Sequence, residues 1–174
     1  GLMIAAIRDD DPVIYFENKV LYTMEGEVPE EPYTVPLGEA EYVREGEDVT
    51  VVAIGRMVEM AKQAADHLAD EGIECEIVDP RTTSPLDEET IFESVENTGR
   101  LVVVDESNPR CSLATDIAAR VAQECFDDLK AAPKMVTAPH TPPPFSPTLE
   151  DLYVPDPEKI AAAVREVTGA GARA

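Results

Sequence analysis

The chain has no tryptophan, few aromatic residues of any kind (5%), and only 14 basic residues against 36 acidic ones. So few lysines and arginines exclude a nucleic-acid binder, because phosphate contacts need clustered cations. No apolar run approaches the ~20 residues that span a bilayer, so no membrane partner is expected. A basic-then-apolar signal segment is also missing, which makes the cytoplasm the expected compartment. The three cysteines, Cys75, Cys111 and Cys125, lack metal-ligand spacing, and buried reduced thiols are expected at all of them. Neither a GxGxxG nor a GxxxxGK-Ser/Thr pattern occurs, so Gly55 reads as a plain strand-to-helix turn rather than a phosphate cradle.

What is present is enough for a core: 174 residues, 44% of them hydrophobic. The formal net charge of -22 describes a solvated acidic surface of the kind halophilic proteins carry. Part of such a surface could also receive a basic protein.

Regular alternation of strand and helix signals begins at Val49. Val49–Ile54, Cys75–Val78 and Leu101–Val104 are short apolar strand candidates and Lys134–Thr137 a fourth strand; Val49–Ile54 shows no polar alternation, as expected when helices cover both faces of a parallel sheet. Between them the helical faces are Val58, Ala61, Ala65 and Leu68, then Ile91, Phe92 and Val95, then Leu113, Ile117, Val121 and Phe126. Pro157 opens a last helix with Ile160, Ala163, Val164 and Val167 inward. Gly72 and Ser112 are placed as a C-terminal and an N-terminal cap. The fold class is therefore α/β, a mostly parallel sheet with helices on both faces.

Upstream the pattern differs. Leu2, Ile4, Ala5 and Ile7 have helical spacing, Asp9-Asp10-Asp11-Pro12 stops that helix, and Val13–Phe16 reads as a short buried strand. One helix and one strand make no core, so residues 1–22 are expected to be the tail of a larger domain. Residues 23–46, rich in Glu and Pro, read as an extended linker with its boundary near Glu45-Gly46. Residues 47–169 are the α/β domain, and 170–174 are expected to fray.

Candidate chemistry is sparse. Asp79, Arg81 and Asp87 follow the second parallel strand and Asp105-Glu106 the third, on the edge where doubly wound folds place their sites. Arg81 could pair with a carboxylate at a subunit interface or brace its own turn, and Asp105-Glu106 could act as an acid–base pair. His67 reads as a surface residue on a helix, and His140 stands in a proline-rich loop, Pro139–Pro147, that could border a pocket. No Ser-His-Asp or Cys-His arrangement is apparent. Asp9-Asp10-Asp11 after a helix end could hold a hard cation through oxygens, or simply be a solvated helix stop.

Three blocks in order, PLGEAEYVREGEDVTVVAIGRMV, VDPRTTSPLDEETIFESVENTGRLVVVDE and PHTPPPFSPTLEDLYVPDPEKIAAAV, resemble the beta subunit of thiamine-diphosphate-dependent 2-oxo acid dehydrogenases. These are the first components of the pyruvate, branched-chain 2-oxo acid and acetoin dehydrogenase complexes. GLMIAAIRDDDPVIYFENKVLY and the EVPEEPY linker extend the resemblance over nearly the whole chain. It implies a transketolase C-terminal-type domain preceded by a remnant of a pyrimidine-binding domain. It further implies that the glutamate activating the thiamine lies upstream, and that an alpha subunit holds the diphosphate and its magnesium. No catalytic or cofactor-binding residue is then expected in this chain, which should be inactive by itself. The AIRDDDP segment implies a potassium site built from the backbone oxygens of Ala6 and Ile7, with Asp9 and Asp11. Implied partners are the alpha subunit, a second beta subunit and the basic subunit-binding domain of a dihydrolipoyl acyltransferase. A free-standing acidic α/β protein-binding module is the alternative from another class. Transketolase and deoxyxylulose phosphate synthase match the linker and NPRCSLATDIAA less well.

Overall fold

The computed structural model describes residues 1–169. In chain order the elements are α1 (Leu2–Arg8), β1 (Glu41–Arg44), β2 (Val49–Ala53), α2 (Met57–Ala69), β3 (Cys75–Asp79), α3 (Glu88–Thr98), β4 (Leu101–Asp105), α4 (Leu113–Glu124), β5 (Lys134–Thr137), α5 (Pro147–Tyr153) and α6 (Pro157–Thr168), with a 3-10 turn at Lys19–Thr23. The strands form one five-stranded sheet in the order β1-β3-β2-β4-β5. β3, β2, β4 and β5 run parallel, and β1 joins the edge antiparallel to β3.

β2 and β4 are buried along their whole length because each has a strand on both sides and helices over both faces. Alternate residues feed two cores. Val49, Val51, Ala53, Ile77, Val102 and Val104 pack with Met57, Leu68, Ile160 and Val164 of α2 and α6. Val52, Val78, Leu101 and Val103 pack with Ile91, Val95, Ile117 and Val121 of α3 and α4 on the other face. The result is a three-layer α/β sandwich with a mostly parallel sheet, as the uninterrupted apolar strands predict.

One polar cluster interrupts the second core. The Thr50 hydroxyl lies 2.7 Å from that of Ser94 and 2.8 Å from that of Thr98, and all three residues are buried. Ser94 also donates to the Glu76 carboxylate at 2.5 Å, so each hydroxyl of this group has a partner.

Gly72, in left-handed conformation, ends α2 with Ile73 N–H donating back to the Leu68 carbonyl at 3.0 Å, a Schellman closure. Gly46 is needed for another reason: as the chain passes from β1 to β2, any Cβ there would collide with the backbone of Cys75 at the start of β3.

Four expectations are corrected. Val13–Phe16 is neither a strand nor buried: it pairs with no strand, and its side chains are exposed. Glu41–Arg44, inside the stretch read as linker, is instead an edge strand, which its two charged ends concealed. Phe126 lies beyond the end of α4 and is exposed, because the helix stops at Glu124. Cys111 is exposed, while Cys75 and Cys125 are buried and all three are free thiols. The short helix α5 also falls in and after the loop, begun by a proline at its first turn. The expected fraying of 170–174 lies outside the described residues.

Candidate functional site

The strand order reverses between β2 and β4: the chain steps from β2 to β3 on one side, then returns to place β4 on the other. In open α/β sheets the crevice at the carboxyl ends of such strands is the natural ligand site. Gly55-Arg56 follows β2 there and Glu106-Ser107 follows β4. The loops after β4 and β5 enclose a cleft of about 610 Å³ lined by Glu106, Ser107, Asn108, His140, Pro143 and Tyr153, among others.

Each polar group of the cleft has a definable state. Asp105 is almost wholly buried and accepts from Ser107 twice, from its N–H at 2.9 Å and its hydroxyl at 2.6 Å. Ser107 is therefore a turn residue rather than a nucleophile. Its carbonyl accepts from Ala138 N–H at 3.0 Å, tying the β4 loop to the β5 loop, and Tyr153 donates to the Thr141 carbonyl at 3.1 Å. Burial pushes the Glu106 carboxyl up from its ordinary range; Arg56 opposes this, the Asp105 and Glu150 charges add to it, and a hydrogen bond from Asn18 at 2.9 Å opposes it again. Arg56 Nε is buried without a hydrogen-bond partner. These groups suit recognition of a ligand or partner, since no hydroxyl or thiol here is paired with His140.

The second candidate, Asp79 to Asp87, is a structural turn. Arg81 has a left-handed backbone (φ 55) stabilised by its N–H donating to Asp79 at 2.9 Å. Its guanidinium donates to the carbonyls of Glu39 (3.1 Å) and Ala40 (2.9 Å) and pairs with Glu41 at 3.2 Å. Asp87 caps α3 through Thr90 N–H (3.1 Å) and the Thr90 hydroxyl (2.7 Å), and also accepts from Ala40 N–H at 2.8 Å. Burial raises the Asp87 carboxyl, but these hydrogen bonds and the Arg81 charge outweigh it and hold the carboxyl below its usual range. Burial raises that of Asp79. Arg81 and Asp87 thus staple the chain before β1 to the loop after β3, which leaves them no acid–base role.

With this geometry in hand, comparison with known proteins is decisive about the fold family. Residues 38–160 match the family model described as transketolase, C-terminal domain. The chain belongs to the transketolase C-terminal domain family. It is 63% identical over 171 residues to the acetoin:2,6-dichlorophenolindophenol oxidoreductase subunit beta of Cupriavidus necator, covering 98% of this chain and 51% of that protein. It is 57% identical to the Bacillus subtilis protein of the same name, covering 97% of this chain and 49% of that one. The chain therefore spans about half the length of these curated relatives. Among solved structures, a split-gene transketolase in the form of an inactive beta4 tetramer superposes with a TM-score of 0.70 at 28% identity, covering 83% of this chain and 46% of that one.

Along the chain the remaining candidates are dispersed. Ala6 and Ile7 sit in the last turn of α1, followed by exposed Asp9 and Asp11; Asp9 accepts from Asp11 N–H at 2.9 Å. His67 is exposed on α2, away from the cleft loops. Among the described residues, no group of three or more His, Cys, Asp or Glu side chains is placed to hold a metal ion. Among the described residues, too, no helix is long and apolar enough to cross a membrane. Sequence reasoning brought Glu106 and His140 forward separately but missed Arg56, Asn18 and Tyr153. Arg56 had a signal, its place directly after the Gly55 turn; Asn18 and Tyr153 reach the cleft only through tertiary contacts.

Proposed function

We propose that this chain is the C-terminal part of the beta subunit of a thiamine-diphosphate-dependent dehydrogenase acting on acetoin. Identities of 63% and 57% over nearly the whole chain, to two proteins whose names specify an acetoin oxidoreductase beta subunit, carry this reading. Residues 47–169 serve assembly: they meet a second beta subunit and the alpha subunit, and dock the subunit-binding domain of a dihydrolipoyl acyltransferase. Residues 1–22 belong with a pyrimidine-binding domain; the absence of any buried residue before Val49 supports this, since a chain segment that exposes its apolar side chains lacks its packing partner. Residues 23–46 connect the two, with the edge strand β1 at their end.

Thiamine diphosphate, when bound in the assembled enzyme, supplies the nucleophile and electron sink for cleaving the bond beside a carbonyl. The cofactor and its magnesium are held by the alpha subunit and by regions outside this chain. The potassium site is assigned to the Ala6 and Ile7 carbonyls with Asp9 and Asp11: helix-end carbonyls carry partial negative charge, and hard oxygen donors suit such a cation. The chain's own residues contribute positioning, with the cleft at Glu106 and His140 shaping an entrance. The cytoplasm is the compartment proposed.

The test is co-expression of a full-length beta subunit carrying this sequence with its alpha partner. Thiamine-dependent turnover of acetoin exceeding that of pyruvate and branched-chain 2-oxo acids is expected, and this chain alone should show none. Turnover of a 2-oxo acid with acetoin inert would replace the substrate. A lack of thiamine-dependent activity on all of them would overturn the reading.

A further inference from the structure

Every residue from Asp9 to Thr34 is exposed except Asn18 and Leu21. A segment so bare needs a tie if it is to hold one position against the sheet domain, and Asn18 supplies it. Asn18 is the N-cap of the 3-10 turn Lys19–Thr23: its side-chain oxygen accepts from Val20 N–H at 3.1 Å, and its carbonyl accepts from Leu21 N–H at 3.0 Å. The amide oxygen is thereby committed, which settles the orientation of the amide and leaves its NH₂ end to face outward. That end donates to Glu106 Oε1 at 2.9 Å, across 88 residues of sequence.

The other half of the pair is equally fixed. Glu106 directly follows β4 and lines the cleft. Asp105 before it is buried and bonded twice by Ser107, and the Ser107 carbonyl accepts from Ala138 N–H of the β5 loop. Glu106 feels Arg56 from the turn after β2, Asp105 on its own strand and Glu150 on α5. Two of those three charges repel it. An NH₂ donor suits such a carboxylate, where a third carboxylate would add to the repulsion.

We propose that Asn18 and Glu106 form a positioning latch, which holds the segment before the domain in register with the cleft at the carboxyl ends of β4 and β5. Closed, the latch ties the 3-10 turn to the cleft wall. Open, residues 9–34 are free to move while the sheet domain stays folded, because none of them is buried. Under the function proposed above this segment leads out of a preceding domain, and the latch then sets how that domain is seated. The latch itself needs no substrate or partner, so it stands or falls separately from the acetoin reading.

Lys19 is exposed and sits beside the latch, so endoproteinase Lys-C, which cleaves after lysine, tests it: the protease accepts only an opened turn. The cleavage rate at Lys19 in the 174-residue chain is divided by that of a short unstructured peptide of the same local sequence, which removes direct effects of a substitution on the protease. Asn18→Asp keeps the cap, since aspartate caps as well as asparagine, but sets a carboxylate against Glu106. It should raise the normalised rate about tenfold. Glu106→Gln keeps an acceptor oxygen and should stay within about twofold of the parent. Combining Asn18→Asp with Glu106→Gln reverses donor and acceptor, and should return the rate to within about twofold of the parent. Cleavage at Lys62, Lys130, Lys134 and Lys159 of the sheet domain should rise in none of them. Asn18→Asp cleaving at the parent rate overturns the proposal. So does a double variant as open as Asn18→Asp alone, because the turn rather than the pair would then be responsible. Equal acceleration at the sheet-domain lysines overturns it too, since the whole chain would then be opening.

Discussion

Ile14 and Phe16, near the N-terminus, are 80% and 89% exposed, whereas Ile77 and Val78, equally apolar, are wholly buried. The local sequences differ little in hydrophobicity or β-propensity. What differs is neighbours: β3 lies between β1 and β2 with α2 and α3 over its two faces, and Val13–Phe16 has no adjacent strand. Burial is a property of the assembly around a segment rather than of the segment, and no residue before Val49 achieves it. The only side chain-to-side chain hydrogen bond recorded between residues 1–36 and the sheet domain is that of Asn18 with Glu106, among the described residues.

The sharpest way to break this comparison is to remove side chains from both regions. Ile77→Ala should cost about 2–5 kcal/mol in chemical denaturation, for lost transfer energy and a cavity between two helical layers. Ile14→Ala and Phe16→Ser should stay within ~0.5 kcal/mol in this same chain. Comparable losses in the two regions would show that the N-terminal segment is packed in solution.

Next in size is the staple between β1 and the domain. Asp87→Ala removes the α3 cap and leaves Ala40 N–H without its acceptor, at an expected cost of about 2 kcal/mol. If the loss instead equals that of an ordinary surface substitution, β1 is held by its strand pairing alone.

Smaller, and of opposite sign at the two sites, is the response to pH. Asp87 is held below its usual range, so its contribution is present above the unfolded value of about 3.9 and is lost as pH falls through the lower folded value. Asp87→Asn should therefore flatten the acid limb of the stability curve below about pH 4. Glu106 is raised by burial, so its folded form favours the proton: stability is fully present below the unfolded value of about 4.3 and declines as pH rises through the folded value. Glu106→Gln should gain on the parent chain above that window. A pH profile with both variants parallel to the parent would remove these assignments.

The smallest structural effect is expected from the thiols. Burial pushes the Cys75 thiol up to about 12, and it should react with a disulfide reagent only on unfolding. Cys111 is exposed and should react on the order of 100-fold faster, with Cys111→Ser leaving stability within ~0.5 kcal/mol. Fast labelling of Cys75 would mean that the start of β3 opens readily.

Much of the sheet domain was legible in advance. β2, β3 and β4 announce themselves as short apolar runs between helices, and two-face burial explains why β2 and β4 lack alternation; β5, an edge strand with only Val136 buried, is marked by its place after α4. β1 was not legible, since an edge strand flanked by Glu41 and Arg44 has the composition of a linker and gains its identity by pairing with β3. Phe126 was misread because helical periodicity does not say where a helix stops. Of the cleft, Glu106 and His140 carried a signal from their positions at strand ends. Their meeting with Asn18 and Tyr153 depends on how three loops converge over a distance no local pattern records.

The residue order by itself determined the α/β class, the parallel strands and the acidic surface, because periodicity and charge are local properties that survive in any context. It also carried the family, whose PRTTSPLD turn proved to be a staple made by Arg81 and Asp87. Tertiary structure alone decided that Glu106, His140 and Tyr153 border one crevice, that Ile14 and Phe16 find nothing to cover them, and that Phe145, Leu149 and Leu152 stand exposed. Those outcomes follow from strand order and loop convergence, which arise from long-range packing rather than from the preferences of any single segment.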